Sequence, residues 1–287
     1  MFIYYKSGLR ELNQEIEGIG AVYTQNLSFY SICKYYNIEL IHHIHQIGHN
    51  YNNIDKDEWD KQWDDFFNFK SLCRTIDTIN LDNYKLYEKK ILHKEDVEQN
   101  KDNECIFFSK GSSINESERS KFLALIKDDI NKAYDEVNYN RPLIYNKNKK
   151  NIAIHIRVWN DCDSVSEKYI DFQYSINSQR YKYDENKYIS IINKIINKYP
   201  DYDIHIFTQE SFKIKYPNIY ANSKFNMNIN MNAFDTLHHM IKADVLVLGV
   251  LSAFSILAAY YNKNTIIYTN DNKEQKFIDS WLDIDEF

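Results

Sequence analysis

The sequence predicts an α/β protein built of two Rossmann-like domains facing a cleft, residues 1–150 and 151–287. Three observations predict it. From residue 152 onward apolar strands alternate with amphipathic helices, the pattern of a parallel sheet covered on both faces. Residues 2–44 read as strand, Gly-bearing turn, helix and strand, which is the same unit once more. Between the halves, Arg141-Pro142 breaks a helix and Asn146-Lys147-Asn148-Lys149-Lys150 forms a polar run that marks a boundary.

The elements follow in order. Phe2–Tyr5 is a short apolar strand. The loop EGIG leads into AVYTQNLSFYSICKYY, an apolar helix, and NIELIHHI (37–44) is a second strand. Residues 57–72 form an amphipathic helix whose Trp59, Trp63, Phe66, Phe67 and Phe69 fit a buried face better than a sugar-stacking platform. Residues 77–110 fit neither helix nor strand clearly. Residues 117–137 form a long helix, with Phe122, Leu123, Leu125, Ile126 and Ile130 at spacings of three and four. In the second half the strands are 152–157, 203–208, 245–248 and 265–268. The helices are 186–199, stopped by Pro200, then 233–243 and 252–261.

With 287 residues, 44% of them hydrophobic and 15% aromatic, the chain has material for a sizeable core. A net charge of -6 argues against non-specific nucleic-acid binding. Cys33, Cys73, Cys105 and Cys162 contain no C-x-x-C pair, so the expectation is reduced thiols in an intracellular protein rather than a zinc or disulfide framework. The start is too short in apolar residues for a signal peptide, and no stretch approaches the roughly 18 apolar residues of a membrane helix. A cytoplasmic location is therefore expected.

Three strand ends carry the chemistry. The strand Ile152-Ile154-Ile156 delivers His155 and Arg157 to its carboxyl end, followed by Trp159-Asn160-Asp161-Cys162-Asp163. Ligands of open α/β sheets bind at that edge, and a cation beside an imidazole there suits an anion, most simply a phosphate. DIHIFT ends in Thr208-Gln209-Glu210. VLVL ends in Gly249, then Leu251-Ser252-Ala253-Phe254-Ser255 and a helix. A Gly turn with two hydroxyls at a helix N-terminus offers free N–H groups and the positive helix end to an anion. Each feature also has a structural reading, a paired Arg or a Ser N-cap. The convergence of the three at one edge favours the ligand site.

These segments, IAIHIRVWNDCD, YDIHIFTQES and AFDTLHHMIKADVLVLGVLSAFSILAAYYNKNTIIY, resemble the donor-binding half of the fucosyltransferase superfamily, which covers α1,2-, α1,6- and protein O-fucosyltransferases. EGIGAVYTQNLSFYSICKYYNIEL resembles the N-terminal Gly-x-Gly turn and helix of that group. The resemblance touches residues 18–48 and 151–268. It departs from the group's pattern where Val158-Trp159-Asn160 stands for Arg-Gly-Asp, where Ala253 stands for a Ser, and where Ala21 follows Gly20 without Asn-Gln.

The resemblance implies a GT-B-like glycosyltransferase that moves fucose from GDP-fucose to a glycan hydroxyl, inverting and metal-independent, with the GDP-sugar as co-substrate and no cofactor. It implies that Arg157 contacts the β-phosphate and that His155 sits by the nucleotide. Ser252 and Ser255 would hold phosphate oxygens, Asp235 would read guanine, and Gly18 and Gly20 would let the N-terminal loop approach the diphosphate. Asn160, Thr208, Gly249 and Phe254 complete the implied donor side. For the base that activates the acceptor, Asp161, Asp163 and Glu167 are candidates, as is a carboxylate of the N-terminal domain.

Two rival signals stand beside this reading. Asp161-Cys162-Asp163 is an Asp-x-Asp, a metal and nucleotide motif of another glycosyltransferase fold; its place after His-x-Arg fits a loop beside the phosphate site better. His42-His43-x-His45-x-x-x-His49 has metal-binding spacing but no Cys or carboxylate within it, and a solvated strand edge or the lining of an acceptor cleft is expected. The alternatives in function are a transferase of another nucleotide sugar, metal-dependent through Asp161 and Asp163, and a non-catalytic protein that binds glycan or nucleotide.

Overall fold

A computed structural model describes residues 1–5, 18–47, 54–89, 91–109, 116–158, 184–250, 252–269 and 279–286. The chain divides into two compact units, Met1–Arg141 and Pro142–Phe287. The polar run 146–150 leads into the first strand of the second.

The first unit contains β1 (Phe2–Tyr5), α1 (Ile19–Tyr36), β2 (Glu39–His42), α2 (Lys56–Phe67), β3 (Arg74–Thr75), β4 (Lys85–Lys89), α3 (Lys94–Asn100), β5 (Cys105–Ser109) and α4 (Glu116–Asn138). Its five strands are all parallel, in the order β3-β2-β1-β5-β4. Helix α1 ends at Asn37, whose φ of 53° is left-handed and whose N–H reaches the Cys33 and Lys34 carbonyls. Asn tolerates that conformation because its short side chain adds little strain. Helix α2 starts at Asp55, which accepts from the Asp57 and Glu58 N–H groups. Its Trp59, Trp63, Phe66 and Phe67 are buried, as the spacing predicts, and a 3-10 turn at Phe69–Leu72 continues it. The stretch 77–110, which fits neither helix nor strand clearly in the sequence, holds β4, α3 and β5, of which β5 lies against β1 inside the sheet.

The second unit contains β6 (Asn151–His155), α5 (Glu185–Lys198), β7 (Asp203–Thr208), the short helices α6 (Phe212–Lys215) and α7 (Pro217–Tyr220), and β8 (Phe225–Ile229). There follow α8 (Ala233–Lys242), β9 (Val245–Val247), α9 (Ala253–Tyr261), β10 (Thr265–Tyr268) and β11 (Leu282–Asp283). Six parallel strands run in the order β11-β10-β9-β6-β7-β8. Chain order runs outward from β6 to β8 on one side and from β9 to β11 on the other. The switch point therefore lies between β6 and β9, where such sheets open a crevice beyond their carboxyl ends.

Alternation in β6 divides its side chains between two layers. Ile152, Ile154 and Ile156 join Ile191, Ile192 and Ile195 of α5, with Ile204, Ile206, Val245 and Val247, in one buried cluster. His155 and His205 meet the other layer, where Phe254, Tyr145 and His239 lie. In that layer the Ile144 N–H donates to His239 Nε2 at 2.9 Å, so Nδ1 carries the proton it shares with the Asp235 carbonyl at 2.6 Å.

Candidate active site

The switch point of the second sheet brings together two of the three strand ends singled out in the sequence. Past β6, pairing with β7 continues: Ile156 N–H donates to the Phe207 carbonyl at 3.0 Å, and the Thr208 hydroxyl donates to the Ile156 carbonyl at 2.9 Å. Ile156 and Val158 are both buried, and Arg157 between them is half-buried. A guanidinium is thus delivered just beyond the carboxyl end of the central strand.

On the neighbouring strand end, Gly249 lies directly against His155. A Cβ there would come within 2.6 Å of His155 Nδ1 and 3.0 Å of the His155 carbonyl oxygen. Space, rather than backbone conformation, makes glycine necessary. The imidazole also neighbours the Phe254 ring, with centroids 5.9 Å apart. The sequence places a Gly turn here but gives no sign of the contact with His155.

The turn that follows is closed by one hydroxyl. Ser255 Oγ accepts from the Gly249 N–H at 3.1 Å and donates to the Ser252 carbonyl at 3.1 Å, while the Ser252 N–H donates to the Gly249 carbonyl at 3.2 Å. Ser252 is the N-cap of α9, but its hydroxyl makes no capping bond. Both serines are buried. The Ser255 hydroxyl holds the turn together, the Gly249 and Ser252 N–H groups are both spent inside it, and what is left to meet an anion is the N-terminal, positive end of α9.

Asp235 lies in the first turn of α8 and is half-buried. The cap of that helix is Asn232, whose Oδ1 accepts from the Phe234 N–H at 2.9 Å. Thr208 is buried, with its hydroxyl turned to the Ile156 carbonyl. Asn230, which sequence reasoning passed over, closes the end of β7. Its N–H donates to the Thr208 carbonyl at 3.0 Å, and its side-chain oxygen accepts from the Glu210 N–H at 3.0 Å. Its φ of 52° is left-handed; the signal in the sequence is only an Asn after a strand, which an Asn-rich chain hides. Asn160, Asp161, Asp163 and Glu167 lie outside the described residues.

In the first unit, Gly18 is the N-cap of α1, with no side-chain cap bond and no acidic residue in the first turn. The helix starts at Ile19, so Gly20 belongs to its first turn rather than to a preceding loop. The histidine run also differs from expectation. His42 and His45 are buried, not solvated. His42 Nε2 lies 2.8 Å from the Asp64 carboxylate of α2. The His43 ring stacks on Tyr4, 4.5 Å between centroids, and burial pulls its imidazole down to about 4. Buried carboxylates of α2, which the sequence spacing does not reveal, hold this segment: Asp60 also accepts from the Ile47 N–H at 2.8 Å. His49 lies outside the described residues. Among the described residues, no group of three or more His, Cys, Asp or Glu is placed to hold a metal ion. No helix among them is long and apolar enough to cross a membrane.

No family's sequence profile matches the chain, and no curated protein does. Solved structures do match. POFUT1 in complex with GDP superposes with a TM-score of 0.52 at 9% identity, covering 93% of this chain and 98% of that one. The fold of this chain is similar to that of POFUT1. The complex of POFUT1 with GDP-fucose gives 0.51 at 9% identity over 92% and 94% of the two chains, and apo POFUT1 gives 0.50 at 10% over 92% and 95%. The likeness runs through both units, and at this identity it shows the fold. The α/β expectation is borne out, and the resemblance stated from the sequence is matched at the level of the fold.

Proposed function

We propose that the chain is a glycosyltransferase that takes a GDP-sugar, GDP-fucose first among them, and transfers the sugar to a hydroxyl of a glycan. The observation that carries this reading is the juxtaposition at the switch point. Arg157 follows β6, and the Gly249 turn with the N-terminus of α9 follows β9, on the adjacent strand. POFUT1, whose fold this chain shares, has been captured with GDP and with GDP-fucose.

In this reading the diphosphate lies across the carboxyl ends of β6 and β9. Arg157 makes a charge-assisted, planar contact to it, and the backbone N–H groups at the N-terminal end of α9 share its charge. Leaving-group charge grows as the glycosidic bond breaks, so donors fixed in advance act where the charge develops. No metal is needed for that task in this arrangement. His155 shapes the floor beside Gly249. Asp235 receives guanine N1–H and N2–H, and Phe254 lies on the donor side. The acceptor oxygen attacks the anomeric carbon from the face opposite the diphosphate, which inverts configuration. Asp161 or Asp163 takes its proton.

The test is incubation of the full chain with GDP-fucose and an immobilised glycan panel, with and without EDTA, followed by release of GDP and capture of fucose on glycan. Metal-independent GDP release together with a fucosylated glycan is expected. GDP binding without either product would make the chain a nucleotide-binding protein, and loss of turnover on chelation would move the chemistry to a metal.

A further inference from the structure

We propose that Thr208 is the positioning residue of Arg157: it does not touch the donor but fixes the peptide that aims the guanidinium. The inference rests on Arg157 being a phosphate ligand. The geometry behind it is local. Arg157 sits past the last residue of β6, directly after Ile156, whose N–H still pairs with the Phe207 carbonyl of β7. Its neighbours Ile156 and Val158 are both committed to the buried cluster. The carbonyl of the peptide between Ile156 and Arg157 accepts from a side chain, the Thr208 hydroxyl, at 2.9 Å in a buried setting.

Thr208 is itself held on both sides. The preceding carbonyl, of Phe207, accepts from the Ile156 N–H at 3.0 Å, and its own carbonyl accepts from the Asn230 N–H at 3.0 Å. Asn230 reaches on to the Glu210 N–H. The end of β7 is therefore a rigid abutment, and the Thr208 hydroxyl transfers that rigidity to the Arg157 peptide. Without the hydroxyl the Ile156 carbonyl loses its buried partner. The peptide then gains freedom to rotate about Ile156 ψ and Arg157 φ, and a small rotation there sweeps the far end of a long side chain. Preorganisation of the charged group is lost while its charge is kept. A hydroxyl that the sequence reads as a donor ligand is, on this account, a device for aiming one.

The test compares Thr208→Val, which keeps the shape and removes the hydroxyl, with Thr208→Ser, which restores it. GDP and guanosine are titrated into the full chain by calorimetry, with thermal melts alongside. Thr208→Val is expected to weaken GDP about three- to tenfold, the effect of one hydrogen bond, to leave guanosine unchanged, and to be rescued by Thr208→Ser. In an Arg157→Ala background the same change is expected to cost GDP nothing further. Equal losses for GDP and guanosine, undiminished GDP affinity in Thr208→Val, or a full cost in the Arg157→Ala background would each overturn the proposal. If Thr208→Val does not fold, Thr208→Cys, a weaker donor of similar size, takes its place with an intermediate loss expected. Wild-type protein that binds no GDP would sink the reading of Arg157 itself, a result distinct from binding that Thr208 does not influence.

Discussion

His155 and Gly249 occupy adjacent strand ends so closely that a methyl group on Gly249 would lie 2.6 Å from the imidazole Nδ1. The backbone oxygen of His155, at 3.0 Å, closes the other way out. Gly249→Ala must therefore displace the imidazole or part β6 from β9. Overpacking of this kind costs about 1–3 kcal/mol. A fall in urea midpoint with unchanged slope is expected, together with weaker GDP binding, because the same shift disturbs the turn after β9. A variant as stable as the parent would mean that the two strand ends are less tightly apposed than described.

Ser255→Ala separates a ligand from a fastener. The Ser255 hydroxyl accepts from the buried Gly249 N–H and donates to the Ser252 carbonyl. Leaving that N–H without a partner costs about 1–3 kcal/mol. Stability measured by denaturant is expected to fall by this order, in the absence of any nucleotide. A variant of full stability whose only defect is GDP affinity would instead make the hydroxyl a direct phosphate ligand.

Burial pulls the His205 imidazole down to about 4, and among the described residues neither of its ring nitrogens meets a hydrogen-bond partner. An unfolded histidine titrates near 6.5. Above that value both states are neutral and the full stability is present. As the pH falls from about 6.5 toward 4, the unfolded chain takes up a proton that the folded chain refuses, so stability declines, by at most about 3 kcal/mol for this group. His205→Phe, which keeps a ring against Tyr145, is expected to flatten that decline. His43 and His45, also pulled down by burial, will keep part of it. Chemical denaturation at several pH values checks this, and identical slopes in the two proteins would exclude His205 as a source.

Base preference offers a separate check on Asp235. A carboxylate pairs with guanine N1–H and N2–H together, and adenine lacks that pair of donors. Asp235→Asn is expected to erase the preference for GDP over ADP. A variant that keeps the preference and loses only the roughly 0.3–1 kcal/mol of a helix-dipole contact would place base recognition elsewhere.

Much of the architecture was legible in the residues, and the reasons are physical. The run Ile152-Ile154-Ile156 has to bury one face, so β6 and its layer against α5 follow from alternation alone. β4 escaped because KLYEK is a partly exposed edge strand whose charged residues blur any period, and β5 because its apolar run CIFFS is short and flanked by polar loops. Residue type told which side chains gather at the strand ends, but not which way a hydroxyl turns. Thr208 and Ser255 both spend theirs on the backbone, a choice set by tertiary neighbours far along the chain. The histidine run misled for the same reason: Asp60 and Asp64, supplied by a later helix, are what bring it inside.

The central claim is that Arg157 binds the diphosphate of a guanine nucleotide, and calorimetric titration of GDP and guanosine into the wild type and Arg157→Ala tests it most directly. The account predicts that GDP binds the wild type and that Arg157→Ala weakens GDP by about 1.5–3 kcal/mol, the worth of a charge-assisted hydrogen bond, with guanosine unaffected. Arg157→Lys is expected to recover only part of the loss, since a lysine cannot form the planar fork. Equal losses for GDP and guanosine in Arg157→Ala, or a wild type that binds neither, would contradict it.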